Sequence, residues 1–65
     1  MKNMYDVQQL LKKYGIFVYL GDRMADLEMM QEEVRELYQS GLITPNEFQT
    51  SMLILRSELS KENNK

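Results

Sequence analysis

Apolar residues recur in the first stretch of the chain at Met4, Val7, Leu10, Leu11 and Tyr14, a spacing that gathers them on one face of an α-helix. Asn3 stands where an N-cap belongs, and Asp6 follows three residues later in the capping-box position. Gly15 is suited to the left-handed conformation that closes a helix. The pattern predicts a first helix from Met4 to about Tyr14.

Between Gly15 and Gly21 lies Ile16-Phe17-Val18-Tyr19-Leu20, rich in β-branched and aromatic residues whose local preference is extended. One short run has no second run in the chain to pair with. It is expected to be an extended connector lying across the helices and burying Phe17 or its alternate neighbours. Pairing with a second copy is the other use of such a segment.

Helical spacing returns with Met24, Leu27, Met30, Val34, Leu37 and Tyr38. Asp22 is expected to supply the capping oxygen and Ser40-Gly41 the stop, giving a second helix from Arg23 to Gln39. Thr44-Pro45-Asn46-Glu47 is the strongest local signal. Thr44 fits the N-cap, Pro45 the first helical position, where a missing N–H costs nothing, and Glu47 the reciprocal acid of a capping box. Ile43 and Phe48 occupy the positions of a hydrophobic staple. Phe48, Met52, Leu55 and Leu59 then form the apolar stripe of a third helix, with residues 60–65 a polar tail expected to fray. The short link between the second and third helices predicts antiparallel packing, with the first helix and the connector closing the third side. The expected fold is therefore all-α, a small three-helix bundle with an extended apolar connector between its first two helices, forming one domain over residues 1–65.

Composition narrows the chemistry. The 65 residues include no Cys and no His, which excludes zinc fingers, iron–sulfur sites, thiol chemistry and any mechanism with an imidazole base. Neither a cofactor nor a metal is expected. Carboxylates alone can do acid–base work, but only within a cleft, and a bundle of this size has little room for one, so an enzymatic role is not expected. The longest apolar run, Ile16 to Leu20, is too short to cross a bilayer, and the first residues lack the apolar core of a signal peptide. The expected location is the cytoplasm, with no membrane partner.

The formal net charge of −2 conceals a segregation along the chain. Residues 1–23 carry Lys2, Lys12, Lys13 and Arg23 against Asp6 and Asp22, residues 24–47 carry Arg35 against six acids, and residues 48–65 are close to balance. At helical spacing Tyr5, Gln9, Lys12 and, at the margin, Lys13 fall opposite the apolar stripe of the first helix. An aromatic ring, an amide and two cations on one face can stack on a base and neutralise phosphates, the chemistry by which single strands are held. Tyr19 and Arg23 extend such a patch from the connector. The plainer account of the same residues is a solvated face, with Tyr14 and Tyr19 packed rings beside glycine turns.

Glu28, Glu32 and Glu36 follow at four-residue intervals on the outer face of the second helix, and carboxylates on one straight helix do not converge on an octahedral ion. They read as a solvated face or a surface for a basic partner. Met29 lies off the apolar stripe, and Leu53 and Ile54 widen the apolar surface of the third helix. Coverage by the connector is expected for Leu53 or Ile54, and contact with another protein or a second copy for Met29. These six residues define the alternative function, a protein–protein adaptor or self-associating module.

The segments Tyr5-Asp6-Val7-Gln8-Gln9-Leu10-Leu11, Tyr14-Gly15, Gly21-Asp22-Arg23, Asp26-Leu27-Glu28 and Glu36-Leu37-Tyr38-Gln39-Ser40-Gly41-Leu42 give the chain a further character. Over Tyr5 to about Leu59 it resembles the YqgQ-like family of small bacterial proteins of Gram-positive organisms. The resemblance implies a three-helix bundle and single-stranded nucleic-acid binding, and it brings no catalytic signature. The residues nominated for that binding, Tyr5, Gln9, Lys12, Lys13, Tyr19 and Arg23, rest on charge and exposure.

Overall fold

A computed structural model describes residues 1–63 and contains three helices, α1 (Met4–Lys13), α2 (Arg23–Gln39) and α3 (Pro45–Asn63), with no strand among the described residues. The start of α1 is set as its sequence predicts. Asp6 N–H donates to Asn3 Oδ1 at 3.2 Å, and the Asp6 carboxylate accepts the Asn3 N–H in return. Its end is a Schellman closure, in which Gly15 at φ +76° lets its N–H reach the Lys12 carbonyl and the Ile16 N–H the Leu11 carbonyl. The same closure ends α2, where Gly41 and Leu42 donate to Tyr38 and Leu37. At α3, Glu47 N–H donates to Thr44 Oγ1 at 3.0 Å, and Glu47 Oε1 accepts the Thr44 N–H at 2.9 Å.

One cap departs from expectation. Asp22 occupies the N-cap position of α2 in extended conformation, but its side chain makes no capping hydrogen bond. Asp22 is exposed, so a carboxylate without a protein partner carries no burial cost there. Asp26, half-buried one turn further on, instead reaches back to accept the Leu20 N–H at 2.6 Å and ties the connector to the helix. The polar segment expected to fray is helical as far as Asn63, and Asn64 and Lys65 lie outside the described residues.

The helices bury the faces their spacing marks out. Val7, Leu10 and Leu11 of α1 meet Leu27, Met30, Val34 and Leu37 of α2 and Met52 and Leu55 of α3, with Ile43 closing the end by the short link. Each fully buried Leu or Val contributes roughly 1.5–3 kcal/mol relative to exposure. Both α1 and α2 pack on α3. The antiparallel course of α2 and α3 follows from their contacts: Tyr38 at the end of α2 stacks on Phe48 at the start of α3 (centroids 4.4 Å apart, planes at 14°), while Arg23 at the start of α2 meets Glu58 and Glu62 at the end of α3. Tyr14 Oη donates to the Leu42 carbonyl at 2.8 Å and fastens the end of α1 to the α2–α3 link.

From Ile16 to Tyr19 the side chains alternate as in an extended chain. Ile16 and Val18 are half-buried against the core, and Phe17, Tyr19 and Leu20 point outward. Of the two burial patterns open to this segment, the alternate neighbours of Phe17 take the inside.

Candidate nucleic-acid interface

On α1 the core stripe of Val7, Leu10 and Leu11 turns Tyr5, Gln9, Lys12 and Lys13 outward, and all four are exposed. Tyr5 and Lys12 are two turns apart and nearly eclipsed on the helix, so about 10 Å separates their backbone positions along the axis. Among the described residues neither Lys12 nor Lys13 lies within ion-pair distance of a carboxylate, and their charges are therefore free to meet an anion.

The two lysines face different neighbours. Lys12 borders a groove of about 240 Å³ between α1 and the connector, with Gln8 on the same wall, Phe17, Val18 and Tyr19 on the other, and buried Leu11 and Met30 at its base. Lys13 belongs with Gln9, Asp6, Leu10 and Met1 to a shallower depression, about 100° around the helix from Lys12. Tyr19, 87% exposed, thus joins Lys12 and not Lys13, while Tyr5, 65% exposed, borders neither hollow.

Arg23 is held elsewhere. Its Nη2 lies 3.4 Å from Glu58 Oε2 and its Nε 3.9 Å from Glu62 Oε1, so two carboxylates oppose its charge and the side chain serves to join α2 to α3. It borders the hollow that continues past Tyr19 toward Asp22 and Asp26, where the acids further offset it.

Of the groove's lining only Lys12 and Tyr19 are nominated from sequence, and among the remaining residues Gln8 and Phe17 add a side-chain amide and an exposed ring. Phe17 is 73% exposed, and its outward position is set by its half-buried neighbours Ile16 and Val18. Gln8 stands one turn before Lys12, on the flank of α1 nearest the connector, and a flank position has no signature until the connector's path is known.

At the base of α1, the backbone N–H groups of Lys2 (2.6 Å) and Asn3 (3.4 Å) both donate to Asp6 Oδ2 and hold that carboxyl below the usual carboxylate range. The arrangement commits Asp6 to the cap.

The residues of the adaptor alternative are scattered. Glu28, Glu32 and Glu36 are exposed on α2, with Glu32 Oε1 accepting from Arg35 Nη1 at 2.9 Å, and Met29 is exposed beside them. On α3, Ile54 packs against the core cluster formed by the helices and Ile43, where the sequence predicts coverage by the connector, and Leu53 is exposed. No group of three or more metal-ligating side chains forms among the described residues, and no helix there is long and apolar enough to cross a membrane.

The model of the YqgQ-like family matches residues 1–61 of the chain. A relative from Bacillus subtilis (strain 168), named "Uncharacterized protein YqgQ", is 42% identical over 64 residues, covering 98% of this chain and 90% of that protein.

Proposed function

The chain belongs to the YqgQ-like family, and we propose that it is a non-enzymatic module that binds single-stranded nucleic acid weakly through the outer face of α1 and the connector. The observation that carries this reading is the meeting of an unpaired Lys12 with the outward rings of Phe17 and Tyr19 around one groove. A ring stacks on any base at roughly 1–3 kcal/mol, and a lysine offsets phosphate charge without reading sequence. Tyr5, Gln9 and Lys13 extend the surface along and around α1. Arg23 contributes little to it, because Glu58 and Glu62 already oppose its charge.

With two phosphate contacts, at Lys12 and Lys13, the logarithm of the binding constant falls with the logarithm of salt at a slope of about −1.4. Fluorescence anisotropy of labelled single-stranded DNA and RNA across a salt series tests this. Absence of saturable binding at low salt overturns the reading. The adaptor alternative draws on Met29 and Leu53, exposed apolar side chains on different helices of a kind ordinary on monomer surfaces, and no observation favours it over the groove.

A further inference from the structure

The groove between α1 and the connector has polar equipment that charge neutralisation does not require. The backbone N–H groups of Phe17, Val18 and Tyr19 make no hydrogen bond among the described residues, although Ile16 and Leu20 on either side donate to Leu11 O and Asp26 Oδ1. The Gln8 amide, half-buried on the facing wall, also has no partner there. A connector whose backbone groups are free at three successive residues thus borders, across from a side-chain amide, a hollow with an apolar base. At about 240 Å³ the hollow falls below the size of pockets for drug-sized ligands and suits a single planar ring system.

We propose that this groove seats one nucleobase of a bound single strand. The base edge exchanges hydrogen bonds with the Gln8 amide and with the free backbone groups along one edge of the connector, its face lies against an outward aromatic ring, and Lys12 meets the adjoining phosphate. A primary amide presents one acceptor and two donors, enough for bidentate pairing with a base edge, and bases in single strands are free to offer those edges. Lys12, unpaired at the groove mouth, supplies the charge complementarity that selects a nucleotide over a neutral ring. The inference rests on the single-strand reading and adds a location and a recognition unit to it.

The experiment is a ¹H–¹⁵N correlation titration of the full chain with adenosine and cytidine 5′-monophosphates, with inorganic phosphate as the control, beside anisotropy measurements on a labelled oligonucleotide and its abasic counterpart of equal charge. The expected result is saturable movement of the Phe17, Val18 and Tyr19 amides and of the Gln8 side-chain NH₂ with at least one nucleotide and not with phosphate. The base-bearing strand is also expected to bind roughly fivefold or more tightly than the abasic one. Gln8→Ala, its fold verified from the same spectra, is expected to reduce that ratio and leave the salt slope unchanged. If the oligonucleotide binds but its abasic form binds equally well, or the signals that move are those of Tyr5, Gln9 and Lys13, the groove proposal is overturned and the single-strand reading stands. If neither strand binds, both are overturned.

Discussion

Tyr14 and Asp6 do structural work at the two ends of α1, and each yields a test. The Tyr14 hydroxyl reaches the Leu42 carbonyl across 28 residues of sequence. Tyr14→Phe removes that bond and keeps the ring, so a loss of about 1 kcal/mol is expected in chemical denaturation. Asp6 is held as a carboxylate by two backbone donors, and its folded pKa lies below its unfolded value of 3.8. Its contribution is therefore complete above about pH 5 and is lost as the pH falls past the unfolded value and through the lower folded one. The α1 amide signals are expected to move in that acid window, and Asp6→Asn, which keeps an acceptor without a titration, is expected to remove Asp6's share of the movement. At this scale the sequence was readable where partners are near neighbours: Asn3 with Asp6 and Thr44 with Glu47 each lie three residues apart. Ser51 was not readable. It is completely buried on α3, and its hydroxyl donates to the Met1 thioether at 3.1 Å, fifty residues away, a contact that no apolar stripe announces.

Glycine geometry governs how the elements are joined. Gly15, Gly21 and Gly41 all adopt positive φ, and Gly15 and Gly41 sit one residue past the C-caps of α1 and α2. At Gly15 a Cβ would enter open space, so Gly15→Ala is expected to cost only the backbone strain, about 1–2 kcal/mol, measurable in the same denaturation assay. Thr44→Ala removes the hydroxyl that accepts the Glu47 N–H and is expected to cost about 1 kcal/mol. Helix bounds followed closely from apolar spacing and caps, since both act within a few residues. The side of the connector that packs inward did not, because Phe17 and its neighbours are all apolar and only the core beneath them decides between the two alternations. The capping hydrogen bond expected of Asp22 is absent, and the carboxylate that ties the connector to α2 is that of Asp26, a contact legible only once the connector's path is known.

In the whole molecule, the segregated charge seen along the chain becomes a matter of which cations are already engaged. Arg23 is committed to Glu58 and Glu62, and Arg35 and Lys61 each have a carboxylate one turn away, whereas Lys2, Lys12, Lys13 and Arg56 have none among the described residues, and of these Lys12 and Lys13 share the outer face of α1. Ion pairs spanning 35 residues or more could not be read from composition, so Arg23 looked equivalent to the two lysines. Arg23→Ala is accordingly expected to loosen the junction of α2 with α3 by less than about 1 kcal/mol, as for exposed pairs, and to leave strand affinity nearly unchanged. Lys12 and Lys13 carry the central claim. The most direct measurement is the anisotropy of a labelled single-stranded oligonucleotide at low and moderate salt, for the natural chain and for Lys12→Glu with Lys13→Glu. Saturable binding that weakens with salt at a slope of about −1.4 and disappears in the double variant is the predicted result. Binding that is absent at low salt, or indifferent to the double substitution, would contradict the account.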